Sequence, residues 1–277
     1  MRSLSGSVER EKMILELDIG NSRVKWRQLG ADGKVTNQGV VPGAVEFQQL
    51  TELALKPNAI RACSVRKGET YNEVKDWLET KYGMPAHSAY VKRDWAGVSI
   101  QYKDPGRLGV DRWLAMLAAY SSVKGACIVV DAGTALTIDV LAVDGAHQGG
   151  YILPGLGLMR ASLEQNTAIR LITGPLPASL ALGHSTDQAV WHGSLATAVA
   201  LIEKIARTVS AQRPVHLLFS GGDADVLVAN ADFEGLGVSN DRDSRNISYE
   251  IVPDLVLDGL CIACPLPDRV CEAGLIN

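Results

Sequence analysis

Two stretches of this chain carry the same pattern at matched positions, and that repetition restricts the folds open to it more than any other feature. Ile14-Leu-Glu-Leu-Asp18-Ile-Gly20 is an apolar run ending in Asp-x-Gly, followed by the strand-like Arg23 to Leu29 and by Ala31-Asp32-Gly33-Lys34. Cys127-Ile-Val-Val-Asp131-Ala-Gly133-Thr134 repeats the arrangement, followed by Ala135 to Val143 and by Asp144-Gly145. Asp18 precedes Asp32 by 14 residues and Asp131 precedes Asp144 by 13. A single Asp-x-Gly is an ordinary turn. Two at matched spacing predict a duplicated chain, each half opening with a strand, a glycine turn, an antiparallel hairpin and a third strand. That third strand runs from Lys34 to Val41 in the first half and through Tyr151 in the second, and the Asp-Gly pairs predict type I′ hairpins.

The glycine turns also have a chemistry. Glycine lets backbone approach a phosphate, a hydroxyl or amide such as Asn21, Ser22 or Thr134 donates to it, and the aspartate holds a cation or its water. Two such loops can face each other across a cleft between lobes. A third glycine element, Ser220-Gly221-Gly222-Asp223, ends an apolar strand and precedes a helix-like stretch to Asn230, a place for a nucleoside or phosphate against backbone amides. Neither G-x-x-x-x-G-K-[ST] nor G-x-G-x-x-G occurs, which excludes a P-loop and a dinucleotide fingerprint.

Composition narrows the class of partner. The 277 residues suffice for about two domains, and 47% hydrophobic with 21% charged residues is the balance of a folded protein. A net charge of −4 without a basic cluster argues against nucleic acid or an anionic membrane surface as partner. The most apolar stretch, Ala126 to Val143, is broken by Asp131, Gly133 and Asp139 and is no membrane span. Glu9, Arg10, Glu11 and Lys12 stand where a signal peptide has its apolar core, so a cytoplasmic protein is expected. Residues 1–12 are set aside as a leader, an early start or a disordered tail. The five cysteines form no disulfide framework and are expected to be reduced. Cys261-Ile-Ala-Cys264 lacks a second pair and reads as buried small side chains; His87, His147, His184, His192 and His216 show no metal spacing.

Tyr102 precedes the segment Gly109-Val110-Asp111-Arg112, which opens a helix to about Ser121. Asp111 reads either as a helix cap or as a carboxylate that accepts a substrate hydroxyl proton, with Arg112 as a bidentate hook for a carboxylate or phosphate. Gly149 to Arg160 ends a strand with a Pro-Gly turn into a helix, its glycines serving tight interlobe geometry as much as any ligand. Ser185-Thr-Asp-Gln188 is a capping box opening an amphipathic helix to about Ser210, so Thr186 is a first-turn surface residue or holds a polar substrate.

Taken in order, Asp18 to Lys25, Gly109 to Arg112, Asp131 to Thr134 and Gly221 to Asp223 resemble the motifs of type III pantothenate kinases, the family that includes the Bvg accessory factor proteins. The resemblance runs from Met13 to about Pro265. It implies an α/β fold, the duplicated actin-like (ribonuclease H-like) architecture of the acetate and sugar kinase superfamily, with lobes 13–124 and 125–277. It also implies ATP-dependent phosphorylation of pantothenate to 4′-phosphopantothenate, the first step of coenzyme A synthesis. Alternatives are another small-molecule kinase of that superfamily, or a non-catalytic accessory or regulatory factor on the same fold.

Carried over residue by residue, the resemblance makes Asp111 the catalytic base. Tyr102, Gly109, Val110, Arg112 and Thr186, the last within the pattern Gly183 to Gly193, bind pantothenate. The first phosphate loop comprises Asp18, Ile19, Gly20, Asn21, Ser22, Arg23, Val24 and Lys25, with Asp18 organising Mg²⁺; Gly133, Thr134, Gly221 and Gly222 complete the ATP contacts. Asp131 matches the residue that binds a monovalent cation, K⁺ or NH₄⁺. The family also implies a homodimer. Ser220 stands where a Thr is common.

Overall fold

A computed structural model describes residues 13–20, 23–42, 56–65, 69–172, 174, 176–232 and 247–266. The expected leader 1–12, Asn21 and Ser22, most of the polar loop up to Asn246 and the tail beyond Leu266 lie outside the described residues. The chain divides into two compact units, Met1–Tyr90 and Val91–Asn277.

The first unit contains β1 (Ile14–Ile19), β2 (Val24–Leu29), β3 (Val35–Val41), β4 (Ala59–Ser64), α1 (Glu69–Tyr82) and β5 (Ala86–Ser88). Its sheet has the order β3-β2-β1-β4-β5, antiparallel from β3 to β1 and parallel from β1 to β5. Side chains alternate between the faces of a strand. Leu15, Leu17 and Ile19 therefore share one face of β1 and join Val74, Leu78 and Tyr82 of α1 in the apolar core. Glu16 points the other way, where the register sets it opposite Arg27 of β2 and Arg61 of β4. Its carboxylate accepts from Arg27 Nε at 2.7 Å and from Arg61 Nη1 at 2.8 Å, all three side chains being buried.

The second unit repeats the design. A short hairpin, β6 (Asp94–Trp95) and β7 (Val98–Ser99), leads to α2 (Val110–Val123), then to β8 (Cys127–Ala132), β9 (Ala135–Leu141) and β10 (His147–Pro154). After α3 (Leu156–Asn166) and α4 (Thr186–Ser210) come β11 (Val215–Ser220), α5 (Ala224–Asn230), β12 (Ile247–Ile251) and α6 (Leu255–Ala263). The sheet order β10-β9-β8-β11-β12 is that of the first unit, third, second, first, fourth, fifth, with the same strand directions.

The repeat holds at single hydrogen bonds. Gly30 N–H donates to Lys34 O and Gly33 N–H to Gly30 O; in the second unit Ala142 N–H donates to Ala146 O and Gly145 N–H to Ala142 O. Asp32 and Asp144 accept from the backbone two residues on, at 3.0 and 3.1 Å. Gly33 and Gly145 have φ of 82° and 81°, while Asp32 and Asp144 are not left-handed. These are three-residue turns closed by one left-handed glycine, not the expected type I′ turns, which need two successive positive φ values. The first turns differ: Gly20 N–H reaches Arg23 O, whereas Gly133 N–H closes on Ala135 O. The one-residue difference between the two Asp to Asp-Gly spacings thus lies in the first loop.

Leu195, Ala198, Val199, Ile202 and Ala206 of α4 pack with Ile128, Val130, Leu217 and Phe219 of the sheet. Helix α2, with Trp113, Leu114, Met116 and Leu117 buried, packs against α6, β8 and β9. The second unit therefore takes in α2, which the expected division at 124/125 assigns to the first lobe. The closest approach is at Gly259, where a Cβ would stand 2.2 Å from Leu114 O. The thiol of Cys127 is pushed up to about 12 by burial. Cys63, Cys127 and Cys264 are thiols outside any disulfide, as expected, but Cys261 is disulfide-bonded.

Candidate active site

The stretch before α2 is held by its own side chains. Arg93 donates through Nη1 to Ile100 O and Tyr102 O, at 3.3 and 3.1 Å, and through Nη2 to Lys103 O at 2.9 Å. Asp104 caps the 3₁₀ turn Pro105–Arg107 by accepting from Gly106 N–H at 2.9 Å. The chain then enters α2 through Gly109, the N-cap residue, which brings no side chain of its own.

Asp111 lies in the first turn of α2, two places beyond the cap position occupied by Gly109. Its Oδ1 accepts the backbone N–H of Arg112 at 2.8 Å, satisfying one of the helix's unpaired donors. The side chain is half-buried. Loss of water raises its pKa above the ordinary carboxylate range, opposed by the Arg112 N–H and guanidinium charge and assisted by Asp139. A carboxylate so placed is a stronger base than one in water.

Arg112 is buried, and its hook is already occupied. Nε donates to Asp139 Oδ2 at 2.8 Å, Nη2 to Asp139 Oδ1 at 2.5 Å, and Nη1 to the Tyr102 hydroxyl at 3.2 Å. Burial alone would lower the guanidinium pKa, but these bonds and the charge of Asp139 raise it above its ordinary value. His147, fully buried, contacts the same Asp139 Oδ1 through Nε2 at 2.8 Å and stacks on the Tyr102 ring at a centroid distance of 5.8 Å. Tyr102, Gly109, Val110, Asp111 and Arg112 are thus brought together. Asp139 and His147 were missed: Asp139 served only to break an apolar run, and its meeting with Arg112 depends on long-range packing. Locally Asp139 obeys the alternation of β9, falling between Ile138 and Val140 on the face opposite the apolar one, so the strand itself carried no signal.

The second phosphate loop is enclosed by glycine. A Cβ on Gly155 would stand 2.1 Å from Gly133 O, and Gly155 N–H donates to Thr134 O at 2.9 Å. Gly221, at φ 91°, lies against the backbone of Ala132, where a Cβ would be 2.4 Å from the carbonyl oxygen. Asp131 pairs in register with Ser220, so Asp131, Gly133, Thr134 and Gly221 form one cluster. Gly221 and Gly222 are both exposed; Gly221 packs on the Ala132 backbone, whereas Gly222 has nothing within 4 Å of its Cβ position. Gly150 and Gly155 make close contacts inside this unit, whereas a Cβ on Gly149 would meet nothing within 4 Å.

In the first unit Asp18 is half-buried at the end of β1 and accepts from Cys63 Sγ at 3.4 Å, with Lys25 opposite it on β2. Arg23 is exposed; Ile19 and Val24 are core residues, 1% and 2% exposed, leaving their backbone alone to meet a phosphate. Thr186 is the exposed first residue of α4. Ser185 Oγ caps Gln188 N–H at 3.2 Å, but Gln188 Oε1 accepts from His184 N–H at 2.9 Å, one residue before the expected partner.

Comparison with known proteins agrees over most of the length. A family model for type III pantothenate kinase matches residues 14–208. A type III pantothenate kinase of Pseudomonas aeruginosa (strain LESB58) is 37% identical over 262 residues, spanning 92% of this chain and 100% of the relative. One from Pseudomonas fluorescens (strain Pf0-1) is 38% identical over 266 residues with the same coverage. Among solved structures, one described as a Baf family transcriptional activator from Campylobacter jejuni superposes with a TM-score of 0.57 at 22% identity, covering 89% of this chain and 94% of that one. One described as a 2-dehydro-3-deoxygalactonokinase from Sinorhizobium meliloti gives 0.53 at 15% identity, covering 91% and 100%. These two share the duplicated actin-like fold.

Proposed function

Because the chain belongs to the type III pantothenate kinase family, we infer that Asp111 takes the proton of the pantothenate hydroxyl as ATP phosphorylates it. The enzyme is a kinase that makes 4′-phosphopantothenate, the first step of coenzyme A synthesis. The observation that carries the role of Asp111 is its half-buried carboxylate with raised pKa beside the cap glycine of α2. Phosphoryl transfer needs in-line positioning and neutralised charge more than covalent chemistry. Arg112, Tyr102, Gly109, Val110 and Thr186 hold pantothenate in this reading. The backbone of the Gly20 and Gly133 turns, with Lys25, Thr134 and Gly222, holds the ATP phosphates.

Among the described residues no group of three or more His, Cys, Asp or Glu forms a metal cage. A lone carboxylate fits Mg²⁺ that arrives on ATP, since this ion keeps its waters and phosphate ligands. Asp18 would hold it, and when bound it neutralises charge on the transferring phosphoryl group. Asp131, a single half-buried carboxylate at the second loop, fits a singly charged cation such as K⁺.

The exposed Tyr151 and Ile152 of β10 and Leu158 and Leu163 of α3 support self-association, and we read the enzyme as a homodimer. Among the described residues no helix is long and apolar enough to cross a membrane. Dependence on ATP supports a cytoplasmic site of action.

The test is ADP release from Mg-ATP with pantothenate as acceptor, in potassium buffer, in sodium buffer and without pantothenate. Pantothenate-dependent turnover stimulated by potassium is expected. A folded protein that releases no ADP with pantothenate would return the question to other acceptors and to an accessory role.

A further inference from the structure

The Arg112 guanidinium has five N–H donors in a rigid fork. Asp139 takes the side edge, formed by Nε and Nη2, and the Tyr102 hydroxyl takes one donor of Nη1. One donor each is left on Nη1 and Nη2, the two nitrogens that flank the end edge of the guanidinium, an edge that matches a carboxylate. The direction of that edge is thus fixed by where Asp139 stands.

Asp139 is itself clamped by an irregularity of β10. The ladder pairs His147 with Leu141 but Gly149 with Val140 and Gly150 with Asp139, so Gln148 is an extra residue. In a regular strand residues 147 and 150 would point to opposite faces; the bulge turns both to the face of Asp139. Gly149, at φ 110°, supplies the backbone conformation. Gly150 supplies room, since a Cβ there would lie 2.5 Å from Asp139 Oδ1 and 2.8 Å from Arg112 Nη2. His147 closes the other side. An aspartate paired with arginine only accepts, so His147 Nε2 carries the proton, and Nδ1 is buried without a hydrogen-bond partner among the described residues. An imidazole buried with an unsatisfied nitrogen is a poor choice for packing alone.

We infer that Asp139 and His147 are positioning residues for substrate selection, holding the end edge of Arg112 and the Tyr102 ring where the pantothenate carboxylate is received. This rests on the reading of Arg112 as a pantothenate-binding residue. The two act on acceptor binding and not on the nucleotide.

Steady-state kinetics of the full chain separate these roles. His147→Leu and Asp139→Asn are each expected to raise KM for pantothenate roughly ten- to a hundredfold, the effect of disturbing one buried bond to a charged group. KM for ATP and kcat should stay within about threefold, the pattern of lost ground-state binding. His147→Gln keeps a donor to Asp139 and should return KM for pantothenate to within about threefold of the parent. An unchanged KM for pantothenate in His147→Leu and Asp139→Asn overturns the inference. So does a parallel loss of kcat and ATP binding, or a folded His147→Gln that rescues nothing. If His147→Leu does not fold, the near-isosteric Asp139→Asn and His147→Gln decide. Arg112→Ala, measured alongside, separates the two levels. An unchanged KM there removes Arg112 from the substrate site and the inference with it, whereas a raised KM with flat responses at positions 139 and 147 overturns the inference alone.

Discussion

Gly109 and Asp111 stand so close that a Cβ on the first would lie 2.5 Å from Oδ1 of the second. The backbone at Gly109, φ −58°, is open to any residue, so the space is reserved for the carboxylate and not for a turn. Gly109→Ala is therefore expected to displace Asp111 and reduce kcat at least tenfold, while thermal unfolding shows a loss of less than about 1 kcal/mol. A large stability loss with normal turnover would assign Gly109 to the fold instead.

Asp111→Asn keeps an acceptor for the Arg112 N–H and removes the base. Turnover should fall roughly 10²- to 10⁴-fold with ATP binding retained. Burial raises the Asp111 pKa, so the folded chain holds this proton at pH values where the unfolded chain has lost it. The ionised carboxylate then disfavours the folded state above the raised pKa, and this penalty fades as pH falls towards the ordinary carboxylate range. Urea titrations should find the Asn variant more stable than the parent at neutral pH and equal to it near about pH 3. In the parent, the acid limb of kcat/KM should lie above the ordinary carboxylate range.

Removing one partner of a buried ion pair strands the others. Glu16→Gln leaves Arg27 and Arg61 facing each other inside the first unit, where Nε and Nη2 of Arg61 have no hydrogen-bond partner among the described residues. The expected loss is about 3–5 kcal/mol by chemical denaturation. A loss under about 1 kcal/mol would mean that the guanidinium groups reach water when released.

Gly259 lets α6 lie directly on α2. Gly259→Ala places a methyl 2.2 Å from Leu114 O, backbone that cannot rotate aside. About 1–3 kcal/mol of stability should be lost, read as a lowered urea midpoint.

The neighbouring glycines of the third loop should separate fold from ligand. Gly221→Ala meets the Ala132 backbone at 2.4 Å with φ 91° and is expected to destabilise the chain. Gly222→Ala meets nothing within 4 Å and should melt like the parent while raising KM for ATP. A Gly222→Ala enzyme with unaltered KM would remove this residue from the nucleotide site.

The duplication was legible because its marks are local. The Asp-Gly turns need a left-handed residue, met by Gly33 and Gly145, and the Ser185 cap marked the start of α4 to within one residue. What escaped depends on register. Nothing near Glu16 says that Arg27 and Arg61 lie beside it, since that follows only from how β1 aligns with β2 and β4. Arg112 was legible as a cation near a substrate but not as one already clamped, because Asp139 reaches it across 27 residues and His147 arrives through a bulge. Gly221 reads as a ligand glycine, and its close packing on Ala132 was not legible because it depends on how β11 lies beside β8.

The bulge in β10 reverses the usual ranking of mutational severity. Losing Gln148 outright would leave His147 and Gly150 an even distance apart, still turned to the same side in a regular ladder. Changing Gly149 to valine keeps every other residue but disfavours the backbone that absorbs the extra one, and a straightened strand must then turn either His147 or Gly150 away from Asp139. In this hairpin a deletion is expected to be the milder event and a single substitution the harsher. Lineages that differ here should differ first in length.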